Sequence, residues 1–158
     1  MKLVVTGTQL PFNRLIRTVD EWADKTKTKD VFAQIGQTDY KPKYIEWENF
    51  ISPEIFRKTF EKADIIISHA GMGTILSALE MGKPILILPR LKKYNEHRND
   101  HQIATAKSFL LMNAIDVAFN ENELVDKLNS LDKIKNKKKI TPNASNQLLK
   151  TLSDFINI

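Results

Sequence analysis

Ala63-Asp64-Ile65-Ile66-Ile67-Ser68-His69-Ala70-Gly71-Met72-Gly73-Thr74 is the stretch on which the reading of this chain turns. Its first half is an apolar run of the kind that forms a strand covered on both faces in a parallel sheet. Its second half carries two glycines into Ile75-Leu76-Ser77-Ala78-Leu79-Glu80-Met81-Gly82, which reads as a helix ending at glycine. A strand, a glycine-bearing turn and a helix start together make a device for holding an anion. The first amides of a helix have no partner inside it, and the aligned peptide dipoles place partial positive charge there. Gly71 and Gly73 carry no Cβ, so the backbone can come close to a ligand. The arrangement suits a diphosphate.

Outward from this stretch, strand and helix signals alternate. Lys2 to Thr6 reads as a strand, and Phe12 to Lys25 as a helix with Leu15, Ile16, Val19 and Trp22 on one face. Val31 to Ile35 reads as a second strand, closed by Gly36, and Tyr44 to Phe50 as a third, more polar one. Ser52-Pro53-Glu54 opens a helix, with serine at the N-cap and proline at the first helical position, that runs to about Lys62. Pro84 to Pro89 is another buried strand, Arg90 to Arg98 a charged loop, Asn99 to Leu111 a helix, Ala114 to Ala118 a strand and Glu121 to Leu131 a helix. A basic linker over 132–142 leads to a C-terminal helix over 143–157. The alternation predicts an α/β fold, a doubly wound parallel sheet, with residues 1–158 forming a single domain. Ligands on such sheets bind beyond the carboxyl ends of the strands, near a topological switch point. The turns at Gly7, Gly36 and the Gly71/Gly73 pair all fall at strand ends.

Composition narrows the class. The chain has 158 residues, 42% hydrophobic and 27% charged, as in ordinary soluble domains. There are no cysteines, which removes disulfides, thiolate zinc sites and cysteine nucleophiles, and fits a reducing cytosol. No apolar run approaches the ~18 residues of a membrane-spanning helix. The apolar part of the N-terminus is too short for a secretory signal and reads as the first strand. The net charge is +5, and much of the basic excess sits in Lys133-Ile134-Lys135-Asn136-Lys137-Lys138-Lys139. No aromatics are interleaved there for base stacking, which argues against nucleic acid. A solvated linker and a membrane-contacting patch remain open.

Several residues near the strand ends can carry chemistry. His69 abuts two glycines and a helix start, and its imidazole could donate to a phosphate oxygen; a structural histidine is the alternative. No acidic orienter is visible, so nothing marks it as a general base. Thr74 lies in the first turn of its helix, where it could join the amides on a phosphate or serve as a cap. The segment lacks the lysine-serine/threonine end of a P-loop and the third glycine of a dinucleotide fingerprint. Gly7-Thr8-Gln9 falls on the same sheet edge. Asn95 to Gln102 is rich in groups that could bond sugar hydroxyls, or could be a hydrated loop with a cap. His97 and His101 have the spacing of a metal pair without a third ligand.

Taken together these residues resemble the C-terminal domain of glycosyltransferase family 28 across nearly the whole chain. The match rests on Val4-Val5-Thr6-Gly7-Thr8 with Pro11-Phe12 and Leu15, on Ala63-Asp64 with Ser68 to Thr74, on Gly82-Lys83-Pro84, on Pro89-Arg90, and on Asn99-Asp100-His101-Gln102. The chain is most similar to the small subunits of two-component bacterial exopolysaccharide or capsule glycosyltransferases. It is similar also to the soluble subunit of the enzyme that adds the second N-acetylglucosamine to dolichol diphosphate.

The resemblance implies a Rossmann-like domain, the donor-binding half of a GT-B glycosyltransferase. It implies a UDP-sugar as donor substrate, no cofactor or metal, a lipid-linked acceptor, and a membrane-anchored subunit that binds the acceptor. It implies a cytoplasmic chain recruited to the inner face of the membrane by that partner. Carried over by position, His69, Gly71, Met72, Gly73 and Thr74 would line the diphosphate, and Phe50 and Ile51 would sit near the uracil. Asn99, His101 and Gln102 would face the donor sugar. Gly7 and Thr8 would border the reaction centre, with Thr8 and His69 as its catalytic candidates. Family relatives place a glutamate on the ribose hydroxyls; Ser77 stands there in this chain, with Glu80 one turn further on. The helix dipole, the amides and His69 would stabilise charge on the departing UDP without metal, and no Asp-x-Asp motif is present. The rival readings are a non-catalytic stabilising subunit, a receiver-like signalling domain (which would want acidic residues near Leu3 to Gly7) and a nucleic-acid binder.

Overall fold

The computed structural model describes residues 1–156, with side chains as far as residue 154. The expected last residue of the C-terminal helix, 157, and the end of the chain at 158 lie outside the described residues. In chain order the elements are β1 (Lys2–Val5), α1 (Asn13–Thr26), β2 (Val31–Gln34), β3 (Glu46–Glu48), α2 (Pro53–Lys62), β4 (Ile65–His69) and α3 (Met72–Glu80). They continue with β5 (Ile85–Leu88), α4 (His101–Leu111), β6 (Asp116–Val117), α5 (Glu121–Leu128) and α6 (Pro142–Ile156).

The six strands form one sheet in the order β3-β2-β1-β4-β5-β6, and every neighbouring pair is parallel. Alternate residues of each strand feed opposite layers. Val4, Ile65, Ile67, Leu86 and Leu88 pack with α1 and α5 residues such as Leu15, Val19 and Leu124. Leu3, Val5, Ile66, Ile85 and Ile87 pack on the other face with residues of α2, α3, α4 and α6, among them Phe60, Ile75, Phe109 and Leu152. Two covered faces explain why the strand sequences show almost no polar alternation. The chain builds outward from β1 through β2 to β3, then returns to place β4 on the opposite side of β1. The turns that leave β1 and β4 therefore diverge, and a crevice opens between them at the carboxyl edge.

Local chemistry sets the boundaries. Ser52 Oγ accepts from the Ile55 amide at 3.3 Å with Pro53 in the first helical position, as the sequence predicts. Asn120 Oδ1 caps α5 on the Glu123 amide at 2.9 Å. The third strand is shorter than expected. The amides of Lys43 and Tyr44 go to the buried Asp20 carboxylate on α1 (2.8 Å from Tyr44) instead of entering a ladder. The last strand starts late because the Ala114 amide closes α4 on Phe109, with Asn113 at a φ of 48°. Helix α5 stops at Leu128 rather than Leu131, and a 3-10 turn over Leu131–Lys133 carries the chain back toward the core.

The basic segment is more than a solvated linker. Ile134 and Ile140 are buried in the two core layers, and the Ile140 amide bonds the Leu79 carbonyl. Lys137 Nζ lies 3.1 Å from the Asp116 carboxylate. These contacts, with Lys139 against Gly82, place the strap along the amino edge of the sheet, away from the crevice. A membrane held by these lysines would face the end opposite to the crevice. Among the described residues no helix is long and apolar enough to cross a membrane.

Candidate functional site

A cavity of about 690 Å³ opens at the switch point. The Gly7-Thr8-Gln9 turn borders it on one side and the His69-to-Thr74 turn on the other, with Ser77, Arg90, His97, His101 and Gln102 completing the wall opposite Phe50, Ile51 and Phe56. Every residue expected at the site lines this cavity except Asn99. Asn99 Oδ1 instead accepts from the His101 amide at 3.0 Å, which is why α4 starts at His101 and not at Asn99. Helix-starting polar residues are ambiguous in sequence for this reason: the side chain that caps is no longer available to a ligand.

At the start of α3, Gly71 is the N-cap and offers no side chain to the helix. The first intrahelical bond runs from the Ile75 amide to the Gly71 carbonyl. The amides of Met72, Gly73 and Thr74 consequently have no acceptor on the protein among the described residues. About half an elementary charge of helix dipole is focused on the same spot. A Cβ placed on Gly73 would meet nothing within 4 Å, so this turn of backbone stands open to a ligand.

Gly71 lines the cavity and also makes room for a neighbouring side chain. A Cβ there would lie 2.1 Å from His69 Nε2, and one on Gly7 would lie 2.9 Å from the same atom. The imidazole is seated in a slot between two glycines, and Gly7 also needs its φ of 79°. Both glycines make room for a histidine.

The ring's other nitrogen fixes its protonation. Nδ1 lies 3.4 Å from the Val5 carbonyl, which only accepts, and 3.1 Å from Ser68 Oγ. The proton therefore sits on Nδ1, and Nε2 presents a lone pair. Burial lowers the imidazole to about 4, the positive charge of Arg90 pulling the same way and the Val5 carbonyl opposing. His69 is thus neutral at pH 7, and Nε2 donates to a phosphate only after taking up a proton. A folded-state value below the ordinary 6.5 means that the unfolded chain binds the proton first. This stability is complete above pH 6.5 and is lost as pH falls toward 4, on the order of 3 kcal/mol. Thermal melts from pH 7 to pH 4.5 should show the wild type losing more stability than His69→Asn over that window; parallel curves would contradict the burial.

Gln102 is fixed by two backbone donors. Its Oε1 accepts from the Ala70 and Arg90 amides, each at 3.1 Å. That assigns the oxygen and leaves the amide nitrogen as a donor for the cavity it lines. On the opposite wall the Ile51 amide donates to Gln34 Oε1 at 3.1 Å, and the Phe50 side chain is half exposed. Ser77 lines the cavity, whereas Glu80 hydrogen-bonds Ser145 of α6 and is engaged away from it. Thr8 and His101 stand exposed at the rim. No carboxylate is among the lining residues.

The largest omission of sequence reasoning is Arg90. Its side chain is buried, 2% exposed, and its guanidinium donates to the carbonyls of Thr6, Leu10, Pro11 and Glu96. It lies over the Phe12 ring, 4.8 Å from the centroid. Burial lowers it to about 10 with the Glu96 charge acting against, so it stays protonated. Beneath it, Arg14 and Glu96 form a buried bidentate pair at 2.8 and 2.9 Å. The signals for Arg90 in the sequence were its position directly after a buried strand and its place in the Pro89-Arg90 pair of the family resemblance, and neither gave it a role.

Comparison with known proteins places this geometry. Residues 2–157 match the model of the glycosyltransferase family 28 C-terminal domain. The chain is 34% identical over 71 residues to the mouse UDP-N-acetylglucosamine transferase subunit ALG13, which covers 41% of this chain and 6% of that protein. It is similar in fold to the NMR solution structure of ALG13, with a TM-score of 0.65 at 17% identity over 94% of this chain and 93% of that one. It is similar also to Acinetobacter baumannii MurG, with a TM-score of 0.64 at 18% identity over 97% of this chain and 49% of that one. The chain thus spans a small part of its full-length mouse relative, and the fold is the Rossmann-like half of a GT-B architecture.

Proposed function

The chain belongs to the glycosyltransferase family 28 C-terminal domains, and from that premise we propose that it holds the UDP-sugar donor of a two-component glycosyltransferase. The observation that carries the reading is the cleft between β1 and β4. Three unpaired amides at the start of α3 stand there beside a buried guanidinium, with no carboxylate on the wall to repel a diphosphate. The mouse relative, a UDP-N-acetylglucosamine transferase subunit, supports both the nucleotide and the subunit character.

In this reading the diphosphate lies on the Met72, Gly73 and Thr74 amides, the uracil lies toward Phe50 and Ile51, and Ser77 meets the ribose. Gln102 Nε2 and His101 meet the sugar, and Gly7 and Thr8 border the reacting carbon. An acceptor hydroxyl oxygen bonds to the anomeric carbon as the bond from that carbon to the β-phosphate oxygen breaks. UDP departs with the electron pair. The negative charge gathering on it is met by the α3 amides, by Arg90 and by His69, which takes up a proton on Nε2 as the diphosphate arrives. These groups serve the departure without a metal. The hydroxyl proton goes to a base supplied by the partner; among the described residues no carboxylate lines the cavity. The acceptor is a lipid-diphosphate-linked saccharide of exopolysaccharide or capsule assembly. A membrane-anchored subunit presents it and recruits the chain to the cytoplasmic face.

Calorimetry with UDP, on the chain alone and on the assembled complex, tests the reading, and binding is expected in at least the complex. His69→Ala should slow hexose transfer by the complex about 100-fold at saturating partner. Absence of UDP binding in both preparations would leave a non-catalytic stabilising subunit in its place. Undiminished transfer by the variant would remove His69 from the mechanism.

A further inference from the structure

Three turns carry the cavity: the one leaving β1, the one leaving β4 and the long loop between β5 and α4. One residue touches all of their supports. Arg90 Nη1 donates to the carbonyls of Leu10 at 2.7 Å, Pro11 at 3.2 Å and Glu96 at 2.9 Å, and Nη2 donates to the Thr6 carbonyl. Its own amide shares Gln102 Oε1 with the Ala70 amide, which ties in the β4 turn. Among the described residues the guanidinium has no carboxylate in contact. The Glu96 carboxylate is committed to Arg14 through both oxygens and to the Leu91 amide at 2.9 Å. Glu121, the other acid near Arg14, is 3.4 Å from it and 44% exposed. The buried carboxylate is thus taken by Arg14, and Arg90, which lines the cavity, holds its charge on backbone carbonyls alone.

We propose that Arg90 is a positioning residue that locks the Gly7-Thr8-Gln9 turn and the Glu96-to-His101 loop against the cavity and supplies the cavity with a standing positive charge. A planar fork with five donors can satisfy four carbonyls arranged around it; an ammonium keeps the charge but not the reach. The two parts of the role therefore separate in two variants. Arg90→Lys keeps charge and loses the clamp, and Arg90→Met loses both. The inference uses the UDP-sugar reading only for its affinity measurement.

In the full chain, amide hydrogen exchange at Thr6, Leu91 and Glu96, whose amides are hydrogen-bonded beside the clamp, should quicken at least about tenfold in both variants, while Ile66 and Ile67 of β4 stay as in the wild type. The His69 imidazole titration, followed by NMR, should stay in place in Arg90→Lys and move up in Arg90→Met, as the positive charge that lowers it is removed. UDP affinity should fall about tenfold in Arg90→Lys and further in Arg90→Met. Wild-type exchange at Thr6, Leu91 and Glu96 in both variants would overturn the clamp, and an unmoved His69 titration in Arg90→Met would overturn the charge. If neither variant folds, the wild type decides. Arg90 Nη protons that exchange slowly at pH 7 support the clamp, and protons exchanging as fast as those of exposed Arg57 overturn it. A wild type that binds no UDP even in the assembled complex defeats the donor reading, while exchange and titration still judge Arg90.

Discussion

Gly71→Ala should abolish UDP binding, a loss of at least about 100-fold, in a chain that still folds. The new Cβ would stand 2.1 Å from His69 Nε2, 2.7 Å from Cε1 and 2.8 Å from Cδ2. The ring cannot retreat, because Gly7 closes the other side of the slot. The open volume beside it is the cavity, so an expelled imidazole occupies ligand space. Gly73→Ala is the control: nothing lies within 4 Å of its Cβ, and His69 should keep its position. Calorimetry with UDP and the His69 ring resonances read both variants. Gly71→Ala binding within threefold of the wild type would show that the slot does not hold the ring as described.

Glu96→Ala should cost about 3–5 kcal/mol of stability, the largest single loss expected outside the hydrophobic layers. Glu96 and Arg14 are 6% and 9% exposed, and their two hydrogen bonds are parallel. Removing the carboxylate leaves the buried Arg14 guanidinium with only the partly exposed Glu121 at 3.4 Å and the Pro89 carbonyl, and the Leu91 amide without its acceptor. Replacing both partners together, Arg14→Met with Glu96→Leu, should cost much less, because no charge is then stranded. Denaturant melts of the single and double variants measure the difference. A single-variant loss below about 1 kcal/mol would mean that the pair behaves as a solvated surface pair.

The features readable in the sequence were those that short-range chemistry decides. Ile65-Ile66-Ile67 declares a doubly covered strand by itself, and Ser52-Pro53 declares a helix start, and both stand where expected. The parallel, doubly wound sheet follows from the alternation of such elements, and the cavity follows from the sheet. What escaped was set by partners far along the chain. Tyr44 looks like strand, but its amide belongs to Asp20, 24 residues earlier. Arg90 looks like the first residue of a charged loop, but it is buried on the carbonyl of Thr6, 84 residues away. Gly71 was legible as a place with no room for a side chain; that His69 fills the space beside it was not. Asn99 was legible as polar and near the site, and local capping took it. The lysine run announced its charge but hid the two isoleucines, Ile134 and Ile140, that fasten it to the amino edge.

The most direct test is chemical-shift mapping of UDP on the 15N-labelled chain. The largest amide shifts are expected at Met72, Gly73 and Thr74, with a second group at Phe50 and Ile51. Shifts gathered instead around Trp22 and Asn129 in the groove between α1 and α5, or no shift anywhere at saturating UDP with partner present, would contradict a diphosphate held by the amides of α3.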